Sequence, residues 1–193
     1  MKKISFEDAL ILKSVKTARW VACLLPRRVC LGLMWGIGAL IYALSKRRNV
    51  AYRNLRAAFA SEKSRRELKN IACRSFQNMA LSMGEMLRLP DMDLEYVRRH
   101  IEFIGAEKYE SLLREKKGVI FLTAHYGNWE LLNIAGRIVG YPMVVLARAQ
   151  KHPRSDAYLN SIRSCKGSQV IRKGIHPIVM ELDQRIVFFN VLK

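Results

Sequence analysis

The chain has 193 residues, half of them apolar, and its 34 Lys and Arg against 16 Asp and Glu give a formal net charge of +18. This length suits one ordinary domain with its own core, and the composition excludes a wholly disordered chain. The positive charge favours anionic partners such as nucleic acid, lipid headgroups or phosphorylated substrates, and does not choose among them. The four cysteines include no C-x-x-C pair, which argues against a zinc site or a disulfide framework and favours reduced thiols on the cytosolic side.

Residues 29–44 form the first predicted element, an uncharged apolar stretch flanked on both sides by basic residues. As a helix they would reach roughly 24 Å, a little less than the roughly 30 Å hydrocarbon core of a bilayer. The pattern predicts a membrane-associated helix that either spans the bilayer or lies at its surface. A buried helix of a soluble core is the remaining reading.

A second helix is predicted from the capping box formed by Ser64 and Glu67 to about Leu89, with Pro90 as its stop. Its apolar positions recur at helical intervals and predict one buried stripe, so core packing is the expectation for its methionines. That stripe comprises Leu68, Ile71, Ala72, Phe76, Met79, Met83 and Leu87.

From Lys117 onward the pattern changes to short apolar runs that alternate with helical segments. Residues 118–123 read as a strand, 131–139 as a helix closed by Gly140 and Pro142, and 143–147 as a second strand. This β-α-β order predicts a parallel sheet covered by helices. Further along, the predictions are helices at 158–164 and 175–182 and strands at 169–172 and 185–192.

The residues with the strongest chemical signal follow the first of these strands. On one continuous helix, His125 and Glu130 would lie about 140° apart around the axis and could not share a site. A loop that ends at a helix start removes this objection, with Gly127 permitting the turn and Asn128 serving as N-cap. Glu130 in the first turn could then fix the imidazole tautomer, so that His125 acts as a general base on a hydroxyl. The helix N-terminus would offer N–H groups to an oxyanion or a phosphate.

The segment Thr123-Ala124-His125-Tyr126-Gly127-Asn128-Trp129-Glu130-Leu131 closely resembles the H-x4-D/E motif of the lysophospholipid acyltransferase superfamily, in the variant of the bacterial lipid A lauroyl and myristoyl acyltransferases. Further residues match the family in order along the chain. They are Arg53-Asn54-Leu55, Phe59, residues 76–79, Glu85, Arg88, Gly105, Arg148, Arg163 and Arg172-Lys173-Gly174.

This resemblance implies transfer of a fatty acyl group from acyl carrier protein to a hydroxyl of a lipid A precursor at the cytoplasmic face of the cell inner membrane, with no cofactor and no metal. His125 would be the base and Glu130 its orienting partner. Gly127, Asn128 and Arg148 would contact substrate, with Arg148 binding a phosphate or assisting the oxyanion.

The implied architecture is an α/β fold of the glycerolipid acyltransferase type, with a helix-covered, mainly parallel sheet. Residues 1–48 would be a membrane-associated helical segment and residues 49–193 the catalytic domain. Family members usually continue into a further strand with an Asp-Gln pair, so a chain ending at Lys193 is expected to be C-terminally truncated, with an incomplete sheet. Asp183-Gln184 precedes the last predicted strand and does not take that role.

Three other readings stay open at this point. An inactive remnant that keeps only membrane binding is compatible with the short C-terminal part. A basic nucleic-acid binder would explain the charge, but the basic residues are scattered, no nucleic-acid motif is present and nucleic acid is not the expected partner. A metal hydrolase would need a second histidine near His125, and the other three histidines are remote in sequence.

Overall fold

The computed structural model describes residues 6–115, 119–123, 126–141, 143–172 and 186–190. The chain divides into two compact units, one formed by Met1–Arg19 with Arg88–Lys193 and the other by Trp20–Leu87. The domain boundary predicted after residue 48 stays a prediction.

The unit formed by Trp20–Leu87 is helical. It contains the end of α1 (Phe6–Leu24), all of α2 (Arg27–Leu44) and α3 (Arg47–Phe59), and most of α4 (Arg65–Arg88). The predictions of α2 and α4 are confirmed, α1 lies within the helical segment expected for residues 1–48, and α3 was not predicted as a separate helix. Pro26 immediately precedes α2 and ends the helical run of α1.

The capping box predicted at the start of α4 is present. The carboxylate of Glu67 accepts hydrogen bonds from the Ser64 backbone N–H at 2.8 Å and from its hydroxyl at 2.7 Å. Pro90 follows in a single 3₁₀ turn, Leu89–Asp91, as the predicted stop. The expectation that the methionines of α4 all pack in the core is wrong for two of them. Met79 is 51% exposed and Met83 36% exposed.

Small residues explain this shift of the buried face of α4. A side chain on Gly38 of α2 would come within 2.5 Å of the Gln77 Cα, so the two helices approach backbone to backbone there. Ala80 and Gly84 are buried on α4, and a side chain at Gly84 would meet Met34 of α2 at 2.7 Å. The face with the smallest side chains thus meets α2, and the bulkier methionines lie beside it.

One stripe of α2 therefore packs on α4, and the rest of α2 is exposed. Arg27 at its start donates to the Glu85 carboxylate of α4 at 2.8 Å, and Tyr42 near its end packs edge-on against Phe76. By length and composition α2 could cross a membrane, and 11% of it is buried within the structure. Its exposed apolar side chains are Val29, Leu33, Trp35, Ile37, Leu40, Ile41 and Leu44.

The other unit contains a four-stranded sheet whose described ladders are all parallel, in the order β1-β4-β2-β3. The strands are β1 (Val119–Thr123), β2 (Met143–Ala147), β3 (Gln169–Arg172) and β4 (Ile186–Asn190). The predicted strands and their parallel direction are confirmed. The helix predicted at 175–182 lies outside the described residues.

Helices α5 (Leu94–His100), α6 (Ala106–Arg114), α7 (Trp129–Ile138) and α8 (Pro153–Arg163) complete this unit. Helix α7 is the predicted connection between β1 and β2, and α8 begins five residues before its predicted start, with Pro153 in its first turn. Ile134 and Ala135 of α7 are fully buried, as is Leu89 in the 3₁₀ turn. Helices covering a parallel sheet fit the predicted α/β class.

Asp8 of α1 caps α8 from outside that helix. Its carboxylate accepts hydrogen bonds from the backbone N–H groups of Arg154 at 2.9 Å and Ser155 at 3.1 Å, and from the Ser155 hydroxyl at 2.9 Å. Burial by itself would raise the pKa of Asp8, but these hydrogen bonds and the nearby His152 outweigh it and lower the pKa. The start of α1 is thus attached to the α/β unit by a charged helix cap.

Candidate active site at the start of helix α7

Gly127 and Asn128, which precede α7, have the local conformations that the sequence predicted. Gly127 has φ +62°, a left-handed conformation that glycine adopts without steric cost. Asn128 is the N-cap, and its side-chain oxygen accepts a hydrogen bond from the Leu131 N–H at 3.3 Å. His125 lies outside the described residues, so its contact with Glu130 stays a prediction.

Glu130, in the first turn of α7, is buried and forms an ion pair with Arg163 at the end of α8. The Arg163 Nε lies 3.1 Å and 3.0 Å from the two carboxylate oxygens, and Nη2 donates to Oε1 at 2.6 Å. The side chains of Glu130 and Arg163 are only 7% and 16% exposed. Two nitrogens of one planar guanidinium hold the carboxylate in a fixed orientation.

Arg163 is itself held by neighbours on both helices. Its Nη1 donates to the Asn160 side-chain oxygen at 3.1 Å, one turn earlier on α8. Its backbone carbonyl accepts a hydrogen bond from the Asn133 side chain of α7 at 3.2 Å. The Glu130 carboxylate is therefore positioned by a connected polar network that joins α7 to α8.

Sequence reasoning from the residues alone missed this partner of Glu130. Arg163 stands 33 positions later, on a different helix, and no local spacing rule connects the two. Its place among the residues matching the acyltransferase family was the only signal that singled it out.

Arg148 follows β2 directly and is exposed. Because β1 and β2 are parallel members of one sheet, both strands end at the same carboxyl edge, and Arg148 follows β2 there. Ligands of open α/β sheets bind at this edge. The structure thus brings Gly127, Asn128 and Glu130 together at the start of α7, and places Arg148 after a strand of the same sheet.

The described part of this site offers a fixed carboxylate and a helix N-terminus. A buried, fixed carboxylate can orient an imidazole, and the positive end of a helix dipole favours negative charge. Within the described ranges, no three His, Cys, Asp or Glu side chains are grouped so that they could hold a metal ion.

Comparison with known proteins gives two results. A search of curated proteins finds no match. The sequence model of the bacterial lipid A biosynthesis acyltransferase family matches residues 11–188. That match covers nearly the whole chain, from α1 through β4, and includes the turn and helix start that carry Glu130. The chain therefore belongs to the bacterial lipid A biosynthesis acyltransferase family.

Proposed function

We propose that this acyltransferase moves a fatty acyl group from acyl carrier protein to a hydroxyl of a lipid A precursor, with His125 as general base and Glu130 as its orienting partner. The observation that carries the proposal is the buried Glu130 carboxylate, fixed by Arg163 at the start of α7. It stands five residues after His125, in a helix that begins only at Trp129.

The reaction needs a base because a neutral hydroxyl is a poor nucleophile at pH 7. His125 takes the proton of the acceptor hydroxyl as its oxygen attacks the thioester carbonyl of the donor. The tetrahedral intermediate then collapses, the C–S bond breaks, and the imidazolium returns the proton to the departing thiolate. A positioned base typically contributes about 10²–10⁴-fold to such a step.

Glu130 has capacity for both of its proposed partners. An ionised carboxylate offers about four lone-pair sites, and the described contacts with Arg163 involve both oxygens from one side. An imidazole N–H can therefore be accepted as well. In this arrangement Arg163 is a positioning residue, which acts on the reaction through Glu130.

Substrate binding is assigned to the surroundings of the α7 start. Gly127 and Asn128 present backbone at this helix N-terminus, where a developing oxyanion is stabilised. Arg148 is exposed at the carboxyl edge of the sheet, where it can bind a phosphate of the acceptor or assist the oxyanion. The fold would then be of the glycerolipid acyltransferase type.

The membrane assignment rests on α2. Apolar side chains cover its exposed face, and basic residues flank it at Arg27-Arg28 and Lys46-Arg47-Arg48. Hydrophobic insertion combines here with attraction to anionic headgroups. We place the protein at the inner membrane with the α/β unit on the cytoplasmic face, where acyl carrier protein is available.

The test is transfer of a radiolabelled acyl chain from acyl carrier protein to a lipid A precursor. His125→Ala should abolish transfer, and Glu130→Gln should cause a large loss. Because the two residues act as one unit, the double variant should be little worse than His125→Ala alone. The matched control is His100→Ala on α5, where the exposed imidazole stacks on Tyr96. Near-normal transfer by folded His125→Ala protein, or no transfer by the folded unaltered chain, would contradict the proposal.

A further inference from the structure

A basic cleft lies where α2 ends, α3 begins and α4 starts. Its volume is about 510 Å³, within the range of pockets that bind small molecules. All of its wall belongs to the unit formed by Trp20–Leu87. The residues lining this basic cleft are Tyr42, Arg48, Asn49, Tyr52, Arg65 and Lys69.

Three of these side chains are cationic and none is acidic. The nearest carboxylate in sequence, Glu67, is directed to the Ser64 cap of α4. Across the described part of the chain, no Asp or Glu forms an ion pair with Arg48, Arg65 or Lys69. Three uncompensated positive charges around one cleft repel one another and favour an anionic ligand.

The wall of the cleft is held in place by hydrogen bonds. Tyr42 donates from its hydroxyl to the Lys69 backbone carbonyl at 3.3 Å, which joins the end of α2 to α4. Arg48 donates from Nη1 to the Ala43 carbonyl at 2.5 Å. A guanidinium has five N–H donors, so this contact leaves donors on Arg48 for a ligand. Asn49 and Tyr52 add neutral donors beside it.

The end of α2, which contributes Tyr42 to the wall of the cleft, also carries exposed apolar side chains. Leu40, Ile41 and Leu44 are 58%, 48% and 77% exposed on the last turns of α2, and Arg48 lies in the first turn of the next helix, α3. A ligand with a phosphate and hydrocarbon chains matches both surfaces at once. A nucleic acid would match only the charged one, since its backbone needs an extended basic track rather than a single cleft beside the end of an apolar helix.

We propose that the basic cleft binds the phosphate headgroup of an anionic membrane lipid, whose acyl chains lie along the exposed face of α2. This site is separate from the reaction at His125 and rests on the membrane association that forms part of the proposed function. It gives the enzyme a fixed depth and rotation in the bilayer, since a bound headgroup marks the level of the interface.

The experiment measures binding of phosphatidylglycerol, labelled on one acyl chain, to the purified full chain in neutral detergent micelles by fluorescence anisotropy. Each basic side chain near an anionic lipid surface contributes about fivefold in affinity. Replacing Arg48, Arg65 and Lys69 together by Gln should therefore weaken binding by more than about tenfold. Phosphatidylcholine, which has no net charge, should bind the unaltered chain at least about tenfold less tightly.

A second triple variant controls for net charge. Arg56→Gln, Arg66→Gln and Arg74→Gln remove the same charge from exposed positions of α3 and α4 outside the cleft, and should change binding less than about threefold. Equal losses in the two triple variants would overturn the specific site in favour of diffuse attraction.

Two competitors separate the lipid from other sources of phosphate. Displacement of the lipid by an equal concentration of inorganic phosphate would show a free-anion site and overturn the lipid assignment. The lipid assignment would also be overturned if duplex DNA bound the unaltered chain more tightly than the lipid does, and if only the cleft variant lost this DNA binding. Because no acyl transfer is measured, a negative result here leaves the catalytic proposal intact. A flotation assay with vesicles tests membrane association separately. The cleft variant should still float with the vesicles.

Discussion

Replacing Arg163 by Met tests the role of the ion pair in the candidate active site. Methionine keeps an apolar side chain of similar length but removes the guanidinium that pairs with the 7% exposed Glu130 side chain. Removing one partner of a buried ion pair typically costs about 3–5 kcal/mol, because the other charge is left buried and uncompensated. For a chain of this size, about 2–4 °C per kcal/mol converts that cost into a fall in Tm of roughly 6–20 °C.

Thermal unfolding followed by circular dichroism in neutral detergent measures this effect. The control is Arg98→Met, which removes an exposed guanidinium from α5 and should change the Tm by less than about 2 °C. Adding Glu130→Gln to Arg163→Met replaces the stranded carboxylate by a neutral amide, so the double variant should be more stable than Arg163→Met alone. The reasoning would be refuted if Arg163→Met and the Arg98→Met control had the same Tm. It would also be refuted if the double variant had a lower Tm than Arg163→Met alone.

Arg163→Lys separates positioning from stability. Lysine keeps the charge but cannot reproduce the two-nitrogen contact with the carboxylate. We expect most of the stability to return while kcat falls by about tenfold or more with little change in KM, because Glu130 would no longer orient the base correctly. Full kcat in Arg163→Lys would show that the arginine has a structural role only.

Three further predictions concern the rest of the molecule. Because hydrogen bonds lower the pKa of Asp8, the ionised Asp8 carboxylate stabilises the fold above its unfolded pKa of about 3.9, and this stabilisation is lost as the pH falls through the lower folded pKa. Asp8→Asn should therefore lower the Tm at pH 7 and make the Tm fall less in acid. A Tm that is unchanged at pH 7 would contradict the role of Asp8 as a helix cap. Gly38→Ala should destabilise the fold by about 1–3 kcal/mol, since the new methyl group would meet the α4 backbone. The control variant Gly36→Ala has open space around it and should be neutral or stabilising by up to about 1 kcal/mol. Equal Tm values for the two variants would contradict the close contact between α2 and α4. The double variant Leu33→Asp, Leu40→Asp places two charges on the exposed face of α2, and each charge costs about 2.5–3.5 kcal/mol of insertion free energy in a bilayer. The variant should move from the membrane pellet to the soluble fraction after centrifugation. If it stays in the membrane pellet at high salt, α2 is not the anchor.

Local sequence rules predicted the local structure well. The Ser64–Glu67 capping box, the N-cap at Asn128 and strand β2 each involve residues that are only a few positions apart in sequence, and all were found as predicted. Such features depend on neighbouring backbone and side chains, so a short window contains most of the information.

Features that depend on distant contacts were not predictable in the same way. Arg163 reaches Glu130 only because α7 and α8 pack together, and the exposure of Met79 follows from glycine contacts between α2 and α4. A hydrophobic residue at a helical interval indicates a possible buried face, but which face is buried depends on the partner helix.

The position of β4 affects the order in which the enzyme is assembled. This strand lies between β1 and β2, although it follows both of them in the chain. During synthesis at about 5–20 residues per second, β4 leaves the ribosome roughly 2–8 s after β2. Helix α2 is synthesised much earlier and is by then already available to the bilayer. Pairings between such distant segments also form slowly, because the intervening loop must first be closed. Under the membrane association proposed above, the nascent chain would dock on the membrane before its sheet closes, and the aggregation-prone open edges of β1 and β2 would exist only on a tethered intermediate.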